Sequence, residues 1–284
     1  MKGIIKHLST IAVVIFISTG CAVNVTEQMI VSPSTEINQQ HLNQLVNAQG
    51  YQETFFTHAD GTKIHALELT RENAPVTLVV FHGNALNMTL QPWFGLLDSL
   101  AQFDVNIIAI DYQGFGKSEG QASFSNMNRD AELLMRSIDA DTPVIIYGLS
   151  LGSVMAMNVS QDERVKGIIL EGAVSNDDEM IDYFRNRNRL GSLASLNVDP
   201  AISFNNNSKT AHFDAPMLFI HGQNDENIPA WMTEALYESY QGISANYLLV
   251  ESGGHCDTFH VEPALFADTI AGFLTQVTHR HARR

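Results

Sequence analysis

From residue 51 onwards, short apolar runs alternate with longer segments of helical periodicity. Most of the runs are rich in Val and Ile and end at Gly, at an acidic residue or at a His-Gly pair. Such runs indicate strands that are buried on both faces of a sheet. The first two segments instead flank Asp60-Gly61, a hairpin turn signal. The pattern predicts eight strands, at residues 51–57, 62–69, 76–81, 105–110, 144–147, 165–170, 217–220 and 247–250.

Helical patterns fill most of the intervals, at 90–101, 125–138, 151–161, 230–240 and 263–276. Alternation of strands and helices after one opening hairpin predicts an α/β fold, a mostly parallel sheet covered by helices on both faces. Residues 176–212 break the alternation with a long polar stretch. We interpret them as a small lid inserted into one domain over 49–278, followed by a basic tail over 279–284.

The N-terminus has the features of a processing segment. Lys2 and Lys6 give a positive start, and an apolar run over 8–17 follows. The run is shorter than the roughly 20 residues that span a bilayer as a helix, and it is typical of a secretory signal. The Gly20-Cys21 pair after it resembles the end of bacterial lipoprotein signals, in which the cysteine is lipidated and becomes the new N-terminus.

This resemblance implies a signal over 1–20, a lipid anchor at Cys21 and a tether with a short helix over 21–48. Ala22 is not acidic, which by the same resemblance implies an outer membrane location facing the periplasm. Ser18 stands where the lipoprotein pattern usually has an aliphatic residue. A cleaved signal without lipid and an uncleaved anchor therefore stay open as alternatives.

The composition limits which partners, cross-links and cofactors we expect. The formal net charge is -15, which disfavours nucleic acid because phosphates recruit Lys and Arg. Cys21 and Cys256 are the 2 cysteines, so we expect no disulfide framework. The 11 histidines show no helical His-x-x-x-His spacing, and we expect neither a metal site nor a cofactor.

One five-residue motif carries the strongest chemical signal. Gly148-Leu149-Ser150-Leu151-Gly152 follows a predicted buried strand and opens a predicted helix. This is the context of a nucleophile elbow, a sharp strained turn that exposes the serine hydroxyl at the carboxyl edge of a sheet. Glycine on both sides avoids clashes with the neighbouring strand and helix. Ser150 is the predicted nucleophile.

A serine hydroxyl needs a base, and the base needs an acid that fixes its tautomer. His255 follows the last strand in a Gly-rich loop, from which its imidazole can reach Ser150. Asp225 follows the penultimate strand and is the predicted acid. Three other carboxylates compete with it at this stage: Glu226, Asp257 and Glu171.

An acyl-transfer site also needs two N–H donors for the oxyanion. The backbone of Leu151, directly after the nucleophile, is one predicted donor. The loop that reads Phe81-His82-Gly83-Asn84-Ala85 should supply the other. We assign it to the Asn84 N–H, with Ala85 as the alternative.

These motifs together resemble the α/β-hydrolase superfamily. They are the His82-Gly83-Asn84 loop, the glycine-rich segment 111–120 (DYQGFGKSEG), the Ser150 elbow, the segment from His221-Gly222 to Ile228-Pro229, and Gly254-His255. They follow the family's order and cover roughly 51–276. The nearest group is the small-lid hydrolases related to serine aminopeptidases and α/β-hydrolase-domain proteins. The resemblance implies an eight-stranded sheet, a Ser-His-Asp triad and no cofactor, but it does not imply a substrate.

The predicted function is hydrolysis of carboxylic esters or related acyl substrates, small or lipid-like, through an acyl-enzyme. A serine peptidase or amidase is the alternative, because Arg185, Arg187 and Arg189 in the lid could bind a carboxylate or an acidic lipid head group. A solvated helix face explains the same arginines more simply. A non-catalytic envelope protein is the remaining alternative. Cys256 lacks an elbow and is expected to be a packed loop residue, and the oligomeric state stays open.

Overall fold

A computed structural model describes residues 23–187 and 196–281. The predicted signal over 1–20, Cys21 and Arg189 lie outside the described residues. Within them, one large sheet carries helices on both faces, as the alternating pattern predicts. The helices that the structure describes contain no segment long and apolar enough to cross a membrane.

Two sheets are present in the described part of the chain. The large one has eight strands in the order β10-β9-β7-β6-β4-β5-β3-β2, and the small one pairs β1 with β8. The neighbours are parallel except at β2–β3 and β3–β5, so the opening hairpin supplies the antiparallel edge. The strands are β1 (Val23–Val25), β2 (Gln52–Thr57), β3 (Lys63–Leu69), β4 (Thr77–Phe81), β5 (Asn106–Ile110), β6 (Val144–Leu149), β7 (Val165–Glu171), β8 (Leu196–Val198), β9 (Met217–Gly222) and β10 (Ala245–Val250).

The helices follow the predicted segments and add several short elements. α4 begins at a good N-cap, because the Ser123 hydroxyl accepts the Asn126 N–H. The helices are α1 (Glu27–Ile30), α2 (Gln39–Gln44), a π-helical turn (Leu45–Gln49), α3 (Trp93–Leu100), α4 (Phe124–Ser137), α5 (Gly152–Asn158), α6 (Asp177–Arg187), a 3₁₀ turn (Pro200–Ile202), α7 (Asn206–Ala211), α8 (Ala230–Ser239), α9 (Thr258–Val261) and α10 (Pro263–His281).

Apolar side chains pack on both faces of the large sheet. Every residue of β4 and β6 is buried, which matches their continuous apolar sequences. One face packs against α4, α5 and α8, and the other packs against α3 and α10. The elbow between β6 and α5 therefore sits on a rigid central strand.

The segment expected as a tether is partly built into the domain. Val31 is only 4% exposed and belongs to the core on the α4 and α5 face. Leu42 and Leu45 are buried in the core on the other face. The polar composition of 23–48 predicted a tether, but single apolar side chains fix this segment to the domain at three points. We call residues 26–36 the N-terminal strap.

The insertion expected as a lid contains α6, β8, the 3₁₀ turn and α7 between β7 and β9. Its β8 pairs in parallel with β1, and the Asp199 N–H donates to the Val25 carbonyl at 2.9 Å. At the other end of the chain, α10 continues to His281, so it extends into the region expected as a basic tail.

Candidate active site

Ser150 occupies a strained turn between β6 and α5. Its φ of 51° is in the left-handed region, which a residue with a side chain rarely adopts. The Ser150 N–H donates to the Glu171 carbonyl at 2.9 Å, which ties the turn to the end of β7. A Cβ at Gly152 would overlap the Phe81 carbonyl oxygen. The second glycine of the motif thus lets the elbow pass close to β4.

The structure brings Ser150, His255 and Asp225 together from three separate loops. The His255 Nε2 lies 3.0 Å from the Ser150 Oγ. Its Nδ1 lies 2.6 Å from the Asp225 Oδ2. Because a carboxylate only accepts hydrogen bonds, the proton belongs on Nδ1, and Nε2 is free to accept the proton of the serine hydroxyl. The arrangement can transfer that proton to the imidazole.

His221 orients the Asp225 carboxylate, a role that the motif analysis did not assign. Its Nε2 lies 3.2 Å from the Asp225 Oδ2, and its Nδ1 lies 2.7 Å from the Thr233 hydroxyl. Two backbone N–H groups, of Asn227 and Ile228, donate to Oδ1. The His-Gly pair four residues before Asp225 was the signal in the sequence. Only the fold shows that the imidazole turns back onto this carboxylate.

These contacts decide the protonation of Asp225. Burial by itself would raise the pKa of this carboxyl, but hydrogen bonds from His221 and His255 and the charge of His255 lower the pKa below its ordinary value. Asp225 is therefore a carboxylate at neutral pH. A fixed negative charge at this point stabilises the imidazolium form of His255.

The three other candidate carboxylates make different contacts. Glu226 is exposed, and its carbonyl accepts from the Tyr183 hydroxyl of α6 at 3.4 Å. Asp257 accepts the Gly254 N–H at 2.8 Å and shapes the loop of His255. Glu171 is buried against Tyr147 and Thr258. Of the four, Asp225 is the one for which the structure shows a hydrogen bond to His255 among the described residues.

The loop after β4 lies against the elbow. A Cβ at Gly83 would come within 3.0 Å of the Ser150 Cβ and 2.7 Å of the Trp93 ring. Glycine there allows the loop backbone to approach Ser150 closely. Asn84 follows directly, and Leu151 begins the turn into α5 on the other side of the serine. Both predicted oxyanion donors thus belong to segments that adjoin Ser150.

The buried carboxylate of Asp111 stabilises the loop after β4. The Asp111 Oδ1 accepts the Met88 N–H at 2.9 Å, and its Oδ2 lies 2.9 Å from the His65 Nδ1. His82 lies 3.6 Å from the same carboxylate, and burial lowers the pKa of His82. The DYQGFGKSEG segment, expected to be structural, begins with this supporting residue.

The N-terminal strap is fixed to the same loop. The Asn84 side chain accepts the Ser32 N–H at 2.9 Å and donates to the Ile30 carbonyl. Asn87 donates to the carbonyls of Ser34 and Glu36, at 3.1 and 2.7 Å. Nothing in the sequence pattern linked residues more than fifty positions apart. The strap joins the loop after β4 to the insertion between β7 and β9, through β1 and β8.

Cys256 is packed inside the domain, and Arg185 and Arg187 lie on α6. Cys256 is 1% exposed, its thiol donates to the Glu171 carbonyl, and burial raises its pKa well above the ordinary value. Such a thiol is a poor nucleophile. Arg185 lies 3.4 Å from Asp182 on the same helix, and Arg187 is exposed.

Several known proteins are similar to this chain in sequence. Residues 72–210 match the family model described as serine aminopeptidase, S33. The matched segment includes Ser150 and ends before Asp225. The protein YfhR of Escherichia coli is 27% identical over 217 residues, covering 72% of this chain and 73% of the relative. The α/β-hydrolase domain-containing protein WAV2 of Arabidopsis thaliana is 24% identical, covering 74% and 73%.

Solved structures show the same architecture. The esterase Pf2001 of Pyrococcus furiosus superposes with a TM-score of 0.70 at 16% identity, covering 87% of this chain and 100% of the esterase. The chain has the α/β-hydrolase fold. The structure of Est1E from Butyrivibrio proteoclasticus with ferulic acid bound has a TM-score of 0.64 at 18% identity and covers 79% of this chain and 98% of Est1E. The predicted fold class is therefore confirmed.

Proposed function

We propose that this α/β hydrolase cleaves carboxylic esters with Ser150 as nucleophile, His255 as general base and Asp225 as the acid that orients the base. The observation that carries the proposal is the continuous hydrogen-bonded chain Ser150–His255–Asp225, with spacings of 3.0 and 2.6 Å. A serine is a poor nucleophile without such a base. The strained elbow exposes the hydroxyl, and the buried carboxylate stabilises the imidazolium that forms when His255 takes the proton.

The proposed reaction proceeds in two halves. The Ser150 Oγ attacks the acyl carbon while His255 Nε2 takes the hydroxyl proton, and the backbone N–H groups of Leu151 and Asn84 stabilise the oxyanion. When the C–O bond to the alcohol breaks, His255 returns the proton to the leaving oxygen. Water then attacks the acyl-enzyme with His255 again as base, which releases the carboxylic acid and restores Ser150.

A direct test compares the wild type with Ser150→Ala on a p-nitrophenyl ester series and with a fluorophosphonate probe. We expect the variant to lose labelling and to lose at least about 10³-fold in kcat. Ser160→Ala is the matched control, since Ser160 is a buried serine beyond the far end of α5, where its hydroxyl donates to the Met157 carbonyl. Equal ester hydrolysis by wild type and Ser150→Ala would exclude this site as its source.

A serine peptidase is the second candidate, favoured by the family model described as serine aminopeptidase. The same triad can attack an amide, but the leaving amine must be protonated by His255. We expect the purified protein to hydrolyse a p-nitrophenyl ester with higher kcat/KM than the matching aminoacyl p-nitroanilide. The reverse order would assign the protein to the peptidases, and activity on neither would favour a non-catalytic envelope protein.

We also propose that Cys21 carries a lipid and anchors the enzyme at the cell envelope, on the outer membrane facing the periplasm. The support is the sequence: a positive start, a short apolar run and the Gly20-Cys21 pair. More than one acyl chain gives lasting attachment to a bilayer. An anchored enzyme would meet small or lipid-like acyl substrates at the membrane surface.

A further inference from the structure

Glu171 is a buried carboxyl group that the proposed reaction does not use. It ends β7 and is 0% exposed. A carboxyl group at such a position is destabilising unless hydrogen bonds compensate for its loss of hydration. The burial of Glu171 beside the proposed active site therefore needs a physical explanation.

The Glu171 side chain has partners on two elements. Its Oε1 accepts the Thr258 hydroxyl at 2.6 Å and the Thr258 N–H at 3.4 Å. Its Oε2 accepts the hydroxyl of Tyr147, which is fully buried in β6. Thr258 is three residues after His255 and begins α9. The carboxyl group thus connects the central strand of the sheet to the loop that carries the base.

The Glu171 backbone is joined to the elbow and to the same loop. Its carbonyl accepts the Ser150 N–H at 2.9 Å and the Cys256 thiol at 3.4 Å. The next residue, Gly172, has φ 58°, and a Cβ there would reach within 3.4 Å of the His255 ring. One residue therefore touches both segments whose separation sets the Ser150–His255 distance.

We propose that Glu171 is a positioning residue, which fixes the His255 loop against the nucleophile elbow through Thr258 and Tyr147. The inference rests on the proposed function, because it assigns His255 the role of base. Glu171 does not touch the reacting atoms. Its effect is to keep the His255 imidazole between Ser150 and Asp225, where a displacement of about 1 Å can cost about 100-fold in rate.

The chemistry of the site explains why a neutral side chain can take this place. Burial raises the pKa of Glu171, while hydrogen bonds from Thr258 and Tyr147 oppose that rise. Glutamine has nearly the same shape. Its amide oxygen can accept from Thr258, and its amide N–H can donate to the Tyr147 oxygen, which reverses the direction of the hydrogen bond that Tyr147 donates to the carboxyl. Glu171→Gln therefore preserves the connection, whereas Glu171→Ala removes it.

The test measures kcat, KM and the pH profile of kcat/KM for Glu171→Ala, Glu171→Gln and Thr258→Val. We expect Glu171→Ala to lose about 10- to 100-fold in kcat with KM changed less than about 3-fold. We expect Glu171→Gln to stay within about 3-fold of the wild type. Thr258→Val should lose kcat in the same direction as Glu171→Ala, but by less.

The pH profile separates positioning from simple loss of stability. A looser His255–Asp225 contact stabilises the imidazolium less, so the acidic limb of kcat/KM should move to lower pH in Glu171→Ala. Glu163→Ala and Thr275→Val, at exposed positions, are the matched controls. A folded Glu171→Ala with wild-type kcat and an unmoved acidic limb would overturn the proposal.

Two further outcomes distinguish a failure of the positioning role from a failure of the proposed function. If Glu171→Ala does not fold, Thr258→Val with wild-type kcat and pH profile would overturn the proposal, because it removes the shorter of the two Thr258 hydrogen bonds and leaves the carboxyl in place. If Ser150→Ala is as active as the wild type, the proposed function itself fails. Loss of activity in Ser150→Ala with unchanged Glu171 and Thr258 variants contradicts the positioning role alone.

Discussion

At the scale of single residues, the environment of a carboxyl group decides its role. Glu171 is the last residue of β7 and Asp225 follows β9, both strands end at the same edge of the sheet, and both side chains are buried. Asp225 receives hydrogen bonds from imidazoles, which favour its charged form. Glu171 receives hydrogen bonds from hydroxyl groups, and burial dominates its pKa. The first is suited to stabilise a cation, and the second is suited to a structural connection.

Asp225→Asn tests the proposed acid. The amide can present an N–H where the carboxylate accepts, which favours the wrong tautomer of His255. We expect kcat to fall by about 10³- to 10⁴-fold, with the fold retained. Glu226→Gln, the exposed neighbour, is the control and should keep wild-type activity. An Asp225→Asn enzyme within a few-fold of the wild type would transfer the role of acid to another residue.

Asp225→Asn should also change how the free energy of unfolding depends on pH. The pKa of Asp225 is lower in the folded protein than its ordinary value, so its charged form adds stability above the pKa of the unfolded chain. That stability is lost as the pH falls through the folded pKa. Thermal unfolding of wild type and Asp225→Asn should therefore differ most near neutral pH and converge in acid. A difference that grows with acidity would contradict the assignment.

At the scale of elements, the loop after β4 depends on a partner that is distant in the chain. Asn84 is proposed to use its backbone N–H for the oxyanion, while its side chain holds the strap at Ile30 and Ser32. The strap and the loop after β4 are thus joined by direct hydrogen bonds. The insertion between β7 and β9 is connected to them through the pairing of β1 with β8.

Asn84→Ala separates the two roles of this residue, since it keeps the backbone N–H and removes both side-chain hydrogen bonds. We expect a loss of about 1–3 kcal/mol in the free energy of unfolding. We also expect a several-fold fall in kcat, because the loop loses its anchor. Asn47→Ala, at an exposed position, is the control in thermal melts and ester assays. Unchanged stability in Asn84→Ala would show that the strap does not depend on this contact.

At the scale of the whole molecule, the segment after Cys21 belongs to the catalytic domain. A chain beginning at residue 23 keeps the strap, and a chain beginning at residue 37 lacks it and exposes the site where Val31 packs. Burial of one such side chain is worth about 1.5–3 kcal/mol. We therefore expect the shorter chain to unfold at least about 3 °C lower in a thermal melt. Equal melting temperatures would contradict a structural role of the strap.

The proposed anchor is tested on the full chain in a bacterial host. Cys21→Ser should abolish incorporation of labelled palmitate and shift the protein from the membrane fraction to the soluble periplasmic fraction. Cys256→Ser is the control and should keep the label, because this thiol is buried inside the domain. Retention of the label in Cys21→Ser would place the lipid elsewhere or reject the anchor.

The sequence by itself determined the architecture and the three residues of the proposed triad. Buried parallel strands are recognisable because both of their faces must be apolar, and each ends at a short polar or Gly-rich signal. The eight strands of the large sheet begin and end within a few residues of the predicted ones. Because the carboxyl ends of parallel strands share one edge, Ser150, Asp225 and His255 could be assigned from their positions after strands.

Only the tertiary structure decided the contacts that support these residues. His221 behind Asp225, Glu171 between the elbow and the His255 loop, and the strap on Asn84 leave no periodic pattern in the chain. Each depends on side chains brought together from distant segments by the packing of the sheet. Hydrophobic periodicity encodes which face of an element is buried, but it does not encode which buried polar groups will meet.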